Sequence, residues 1–163
     1  MKKIVYLSLG SNVGDRATNL AIAIQHLGGL GAVRARSSLY ETEPVEVPQQ
    51  PWFLNCAVAV ETKLMPQQFL ERVLAIEKNM GRCRTQLKGP RTIDIDLLLF
   101  DGSVVETPAL TIPHPAMHER RFVLQPLAEI APEVLHPVFK RTVREMLDAL
   151  PPHAGTVRKL NET

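Results

Sequence analysis

Cysteine is scarce in this sequence: Cys56 and Cys83 are the only two, far apart and in no paired spacing, so neither a disulfide framework nor a cysteine zinc site is indicated. A reducing, cytoplasmic location is the expectation. A dominant charge is missing too. Nineteen Lys and Arg against 17 Asp and Glu leave +2 over 163 residues, which argues for neither a nucleic-acid nor a membrane surface. Any electrostatic function has to be local. Aromatics make up 5% of the chain, too few for a sheet that reads RNA by stacking. The longest uncharged stretch, residues 17–33, holds Thr18, Asn19, Gln25, His26 and three glycines, and falls short of the ~20 mostly apolar residues a membrane span needs. The start, MKKIVYLSLGSN, is broken by Ser8 and carries no small-residue cleavage site. Neither GxxxxGK[ST] nor HExxH occurs, and GSNVG and GGLG are too weak to count as phosphate loops. With no repeat, low-complexity segment or internal boundary, residues 1–163 read as one domain.

What is present is a regular alternation of elements. Residues 4–9 form a β-rich run ended by GSNVGD, and Ala17, Leu20, Ala21, Ile24 and Leu27 then recur at helical spacing. VRARSSLYET alternates Val33, Ala35, Ser37 and Leu39 against the residues between them, as a half-exposed strand does. After Pro44, Pro48 and Pro51, FLNCAVAVET predicts a further strand. Pro66, the stripe Phe69, Leu70, Val73, Leu74 and Ile76, and the stop at Gly81 predict a helix. The Asp101-Gly102 pair predicts a hairpin joining residues 97–100 to residues 103–106. The tail is expected to be helical: residues 122–131 are apolar but cut by Pro126, and Thr142 and Glu145 have capping-box spacing. The order β-α-β-β-α-β, with an added hairpin strand and C-terminal helices, predicts an α+β ferredoxin-like sandwich. Helices should cover one sheet face and leave the other to loops and a ligand.

The chemistry concentrates in KGPRTIDIDLLLF. Strand alternation puts Thr92, Asp94 and Asp96 on one face and Ile93, Ile95 and Leu97 on the other, with the aspartate Cα atoms ~6.5 to 7 Å apart. Two carboxylates so placed repel unless a cation lies between them, and Mg²⁺ joins carboxylates to phosphates. An isolated D-x-D pair reads more simply as two solvated strand residues. The segment 78–93 holds Lys78, Arg82, Arg84, Lys88 and Arg91 without one acidic residue, which is either a solvated run or an anion site. Arginines leading into paired carboxylates favour a clamp on a polyphosphate. IPHPAMHERRF adds His114, His118, Arg120 and Arg121, flanked by prolines that disfavour a helical zinc pair. Glu77 shares the inward stripe of its helix and needs a partner, from an arginine, a metal shell or its own reach to solvent. Phe53 and Asn55 share a strand face, where a ring can stack on a flat heterocycle and an amide can read its edge; core packing is the alternative for Phe53 and Phe122.

LGSN, YET followed by Pro44, FLNCA, IEKNMGRCR, GPRTIDIDLLLF, IPHPAMHERRFVLQPL and EIAP occur in order and nearly span the chain. With these the sequence resembles the 6-hydroxymethyl-7,8-dihydropterin pyrophosphokinases of folate biosynthesis. The resemblance implies pyrophosphate transfer from ATP to the pterin hydroxymethyl group with release of AMP, two Mg²⁺ ions, and a monomer with no nucleic-acid or membrane partner. It implies that Asp94 and Asp96 hold both metals, with Arg82 and Arg91 at the transferred group. Glu77, Arg84, Arg91, Leu97, Thr111, His114 and Arg120 fall on the ATP side. Thr42, Pro44, Val45, Phe53, Asn55 and Phe122 fall on the pterin side, and the RCRTQLKG segment and residues 44–51 would close over both. Leu74, Leu87, Lys88 and Ala109 depart from the family pattern. Two other classes are alternatives: a metal-dependent nucleotidyltransferase, which would release pyrophosphate, and an RNA-binding or regulatory module, which the few aromatics disfavour.

Overall fold

A computed structural model describes residues 1–44, 51–81, 92–152 and 156–160. Its centre is an antiparallel sheet built from β1 (Lys3–Ser11), β2 (Ala32–Arg36), β3 (Tyr40–Thr42), β4 (Phe53–Thr62) and β5 (Asp94–Phe100). Helix α1 (Arg16–Leu27) links β1 to β2, and α2 (Pro66–Asn79) follows β4. Strand β1 lies between β4 and β5, and β4 also pairs with both β2 and β3. This is the interleaved strand order of two split βαβ units, so the expected α+β architecture is present.

The local reasons are visible in the sequence. Asp15 caps α1 by accepting from the Thr18 N–H at 3.2 Å, and Pro66 opens α2 where its missing N–H costs no hydrogen bond. Gly81, just past α2, takes φ +86°, a conformation glycine adopts without a Cβ penalty. The stripes of both helices pack on Val5, Leu7, Leu9, Leu54, Cys56, Val58 and Ile95, forming the first core. Leu7, Leu9, Leu20, Leu27 and Phe69 are fully buried there, each contributing roughly 1.5 to 3 kcal/mol. Burial also pushes the Cys56 thiol up to about 12, so it stays protonated and inert.

The other face departs from expectation. It is not left free: α3 (Arg121–Ile130) and α4 (Val143–Asp148) cover about half of it, with Ala57, Leu98, Leu99, Val123, Leu124, Leu127 and Met146 in a second core. A bulge in β5 makes this possible. Tyr6 pairs with Leu99 and Leu7 with Leu97, so Leu98 is the extra residue, and both Leu98 and Leu99 join the second core. Helix α3 runs through Pro126, which supplies no N–H to the Phe122 carbonyl; burial of its apolar side outweighs the lost bond. The capping box at α4 forms, with the Glu145 N–H donating to Thr142 Oγ1 at 3.1 Å and the Thr142 N–H to Glu145 Oε1 at 2.9 Å.

Three further expectations change. The strand expected over residues 33–40 is two strands, because the Ser37 hydroxyl accepts the Ala57 N–H at 2.8 Å and so replaces a ladder bond. The Asp101-Gly102 turn exists, with Asp101 at φ +54°, but β6 (Val105–Glu106) pairs with β7 (Thr111–Ile112) and not with β5. Finally, the expected helices α3 and α4 are followed by a strand, the last described element: β8 (Val157–Lys159) pairs with β3, Val157 opposite Thr42 and Arg158 opposite Glu41.

Candidate active site

The uncovered half of the second sheet face is a row of residues fixed by register. Gly10 of β1 pairs with Asn55 on one side and Asp94 on the other, and Ser8 pairs with Ala57 and Asp96. Asp94, Gly10 and Asn55 therefore project from one face, with the two outer Cα atoms roughly 10 Å apart at normal strand spacing. Both aspartates are half-buried. Gly10 is the floor between Asp94 and Asn55: a Cβ there would lie 2.7 Å from Asn55 Nδ2 and 3.4 Å from the Phe53 ring. Among the signals in the sequence, only the period of β1 marked this glycine as facing the site.

On the Asn55 side the walls are tied down. The Thr42 hydroxyl donates to Asn55 Oδ1 at 2.5 Å, and Asn55 Nδ2 lies 3.4 Å from the Leu9 carbonyl. Both side chains are buried, so these bonds act in a low dielectric. Phe53 is half-buried next to them, and Pro44 is buried just past Thr42. Asn12 and Arg16, from the loop and helix start after β1, donate to the Pro51 carbonyl at 3.2 Å and the Trp52 carbonyl at 2.9 Å. Neither anchor was singled out from sequence, although Asn12 belongs to the LGSN motif.

On the Asp96 side a groove of about 480 Å³ opens, lined by Leu70, Leu74, Asp96, Leu97, Ala109, Leu110, Thr111 and His114 among others. Leu97, Thr111 and His114 are thus brought together, and the departures Leu74 and Ala109 make the walls more apolar. The His114 backbone N–H donates to the Leu98 carbonyl at 3.0 Å, which seats this segment on the bulge. Burial, reinforced by the Arg120 guanidinium and opposed by the Asp94 carboxylate, lowers the His114 imidazole to about 4. Its Nδ1 accepts the Ala116 N–H at 3.1 Å, so the neutral ring carries its proton on Nε2. Arg120 lies over the Phe122 ring at 5.5 Å, a cation–π contact that orients both. No ring contact joins Phe53 and Phe122 among the described residues.

Glu77 is 1% exposed beneath β5, and its Oε2 accepts the Ile95 N–H at 2.8 Å. A backbone amide between the two aspartates is therefore one partner of this carboxylate. Arg82, Arg84, Arg91, Val45, Cys83, Leu87 and Lys88 lie outside the described residues, as do residues 45–50 and 82–89 of the segments expected to close over the site. Among the described residues no cluster of three or more His, Cys, Asp or Glu could hold a metal ion, and no helix is long and apolar enough to cross a membrane. Two carboxylates on one strand face are an all-oxygen donor set, which fits an ion that completes its shell with phosphates and water.

Comparison with known proteins adds the family. The chain is 48% identical to a 2-amino-4-hydroxy-6-hydroxymethyldihydropteridine pyrophosphokinase of Methylorubrum extorquens, over 90% of this chain and 93% of that protein. It is 48% identical to the Bacillus subtilis protein of the same name, over 82% and 81%. It is also 44% identical to the folic acid synthesis protein fol1 of Schizosaccharomyces pombe over 91% of this chain, but spans only 21% of that longer protein. Its fold matches the crystal structure of Plasmodium falciparum HPPK-DHPS wild type with pterin and p-hydroxybenzoate, with TM-score 0.72 and 19% identity, over 91% of this chain and 42% of that one. Residues 6–132 match the model of the 7,8-dihydro-6-hydroxymethylpterin-pyrophosphokinase family (HPPK), and the chain belongs to that family.

Proposed function

We propose that the chain transfers pyrophosphate from ATP to the hydroxymethyl group of 6-hydroxymethyl-7,8-dihydropterin, releasing AMP, as a step of folate biosynthesis. The observation that carries this reading is the row Asp94, Gly10, Asn55, which puts an edge-reading amide and paired carboxylates at the two ends of one flat floor. A pterin ring lying on Gly10 has its amide edge at Asn55 and Thr42, a face against Phe53 or Phe122, and its hydroxymethyl arm directed at Asp94 and Asp96. ATP then occupies the groove of Leu74, Leu97, Ala109 and Thr111, with its phosphates running toward the aspartates.

The substrate hydroxyl oxygen attacks the β-phosphorus in line. The bond from that phosphorus to the α,β-bridging oxygen breaks, and AMP leaves with that oxygen. Two Mg²⁺ ions held by Asp94 and Asp96 would supply charge neutralisation and orientation of the phosphates. The chain's own residues position and stabilise. Neutral His114 offers an Nε2–H donor that brings no charge of its own, Arg120 adds a guanidinium, and Arg82, Arg84 and Arg91 are assigned to the phosphates, with Arg82 and Arg91 at the transferred group. Glu77 holds the Ile95 amide and with it the spacing of the aspartates.

The deciding experiment incubates the protein with Mg-ATP and 6-hydroxymethyl-7,8-dihydropterin and identifies the nucleotide formed. AMP that appears only with pterin present is expected. Pyrophosphate release would instead indicate nucleotidyl transfer, and ADP a simple kinase.

A further inference from the structure

Glu41 faces away from the site. It sits between Tyr40 and Thr42 on β3 and pairs with Leu54, whose neighbours on β4 are Phe53 and Asn55. Two arginines from distant parts of the chain converge on its carboxylate. Arg16 Nη2, at the start of α1, donates to Oε2 at 3.0 Å, and Arg158 of β8 donates to Oε1. The same two arginines grip Trp52, the residue before Phe53: Arg16 Nη1 donates to its carbonyl at 2.9 Å, and the Arg158 guanidinium lies over its ring at 5.9 Å.

We infer that the Glu41 carboxylate, clasped by Arg16 and Arg158, is a positioning group that sets the pterin-side wall, Thr42, Asn55 and Phe53, from the opposite face of the sheet. The inference rests on the pterin reading of that wall. Its physical basis is that β3 is only three residues long and is held by β4 on one side and the short β8 on the other. A strand that short contributes few ladder bonds, so its placement depends on side-chain anchors. The Glu41 side chain is 18% exposed, and both guanidinium groups hold its carboxyl below the usual range. The Arg34–Glu61 pair at the far end of β4 is a natural control: it spans 2.9 Å with Glu61 23% exposed, yet neither residue adjoins a site residue.

The test compares Glu41→Gln, Glu41→Asp and Arg158→Met with Arg34→Met. Steady-state KM for each substrate, kcat, Tm and equilibrium binding of the dihydropterin are measured on the full chain. Glu41→Gln and Arg158→Met are expected to raise pterin KM about tenfold, the size of one charge-assisted anchor, with ATP KM unchanged. Glu41→Asp should recover part of that loss, and Arg34→Met should change neither KM. Unchanged pterin KM overturns the inference, as does a parallel rise of both KM values that follows the loss of Tm. If Glu41→Gln does not fold, Arg158→Met decides, because Arg158 is 65% exposed and its truncation leaves the core intact. An unmodified chain that forms no AMP would defeat the functional proposal alone, and pterin binding would still score the clasp.

Discussion

The two ends of the site are built on different principles. The wall at Thr42, Asn55 and Phe53 is a chain of hydrogen bonds on strands that are anchored again from behind, whereas the groove sets an apolar stretch, Leu74, Leu97 and Ala109, beside the polar lining of Asp96, Thr111 and His114. A buried polar wall rejects a ligand that cannot pair with it by far more than an apolar groove rejects a misfit of one methylene. The polar end should therefore carry substrate discrimination, and the apolar end should bind its ligand tolerantly. Asp94 and Asp96 stand between the two.

The comparison breaks first at the shared centre. Asp94→Asn or Asp96→Asn should lower kcat by at least ~10³ with little change in Tm, since preorganised electrostatics is lost without disturbing the core. AMP formation measured beside thermal unfolding checks this. Gly10→Ala comes next. Its Cβ would sit 2.7 Å from Asn55 Nδ2, and displacing that amide should weaken pterin use by roughly 10- to 100-fold while ATP KM stays put. Leu74→Ser, on the groove wall, should raise ATP KM only about three- to tenfold, as expected for loss of part of one apolar contact, and leave pterin KM alone. If Gly10→Ala acted equally on both substrates, the division into a polar and an apolar end would fail.

A further effect is one of stability and pH. His114 is held at about 4 in the folded chain, below its unfolded value of 6.5, so the unfolded state binds the proton more readily. Its neutral burial carries no penalty above pH 6.5, and stability is lost as pH falls from there toward 4. His114→Gln removes that share. The difference in Tm between this variant and the parent chain should therefore shift in the variant's favour over that window and be flat above pH 7. Paired melting curves at several pH values read it directly.

Much of the architecture was legible because it rests on local rules. The stripes of α1 and α2, the proline at the start of α2 and the glycine after it are periodic or positional signals that survive folding. The alternation of Asp94 and Asp96 against Ile95 and Leu97 was equally plain, and the burial pattern of β5 follows it up to Leu97. Past that residue a bulge intervened. No sequence period announces a bulge, and this one turns Leu98 and Leu99 toward the same core and lets α3 cover half of a face expected to be open. The misplaced hairpin has a similar origin: Asp-Gly specifies a turn, but which strand the returning segment pairs with depends on competition for partners.

Taken alone, the sequence determined the order of β1, α1, β2, β4, α2 and β5, the α+β class and the shared face of Asp94 and Asp96, because alternation and capping act over a few residues. Tertiary structure decided the rest. Only the register of β1 against β4 and β5 brings Asn55, Gly10 and Asp94 into one row, and only chain closure puts Arg158 beside Glu41, 117 positions away. Such contacts depend on which strands win each other as neighbours, and that choice is made by burial across the whole sheet rather than by any residue and its immediate surroundings.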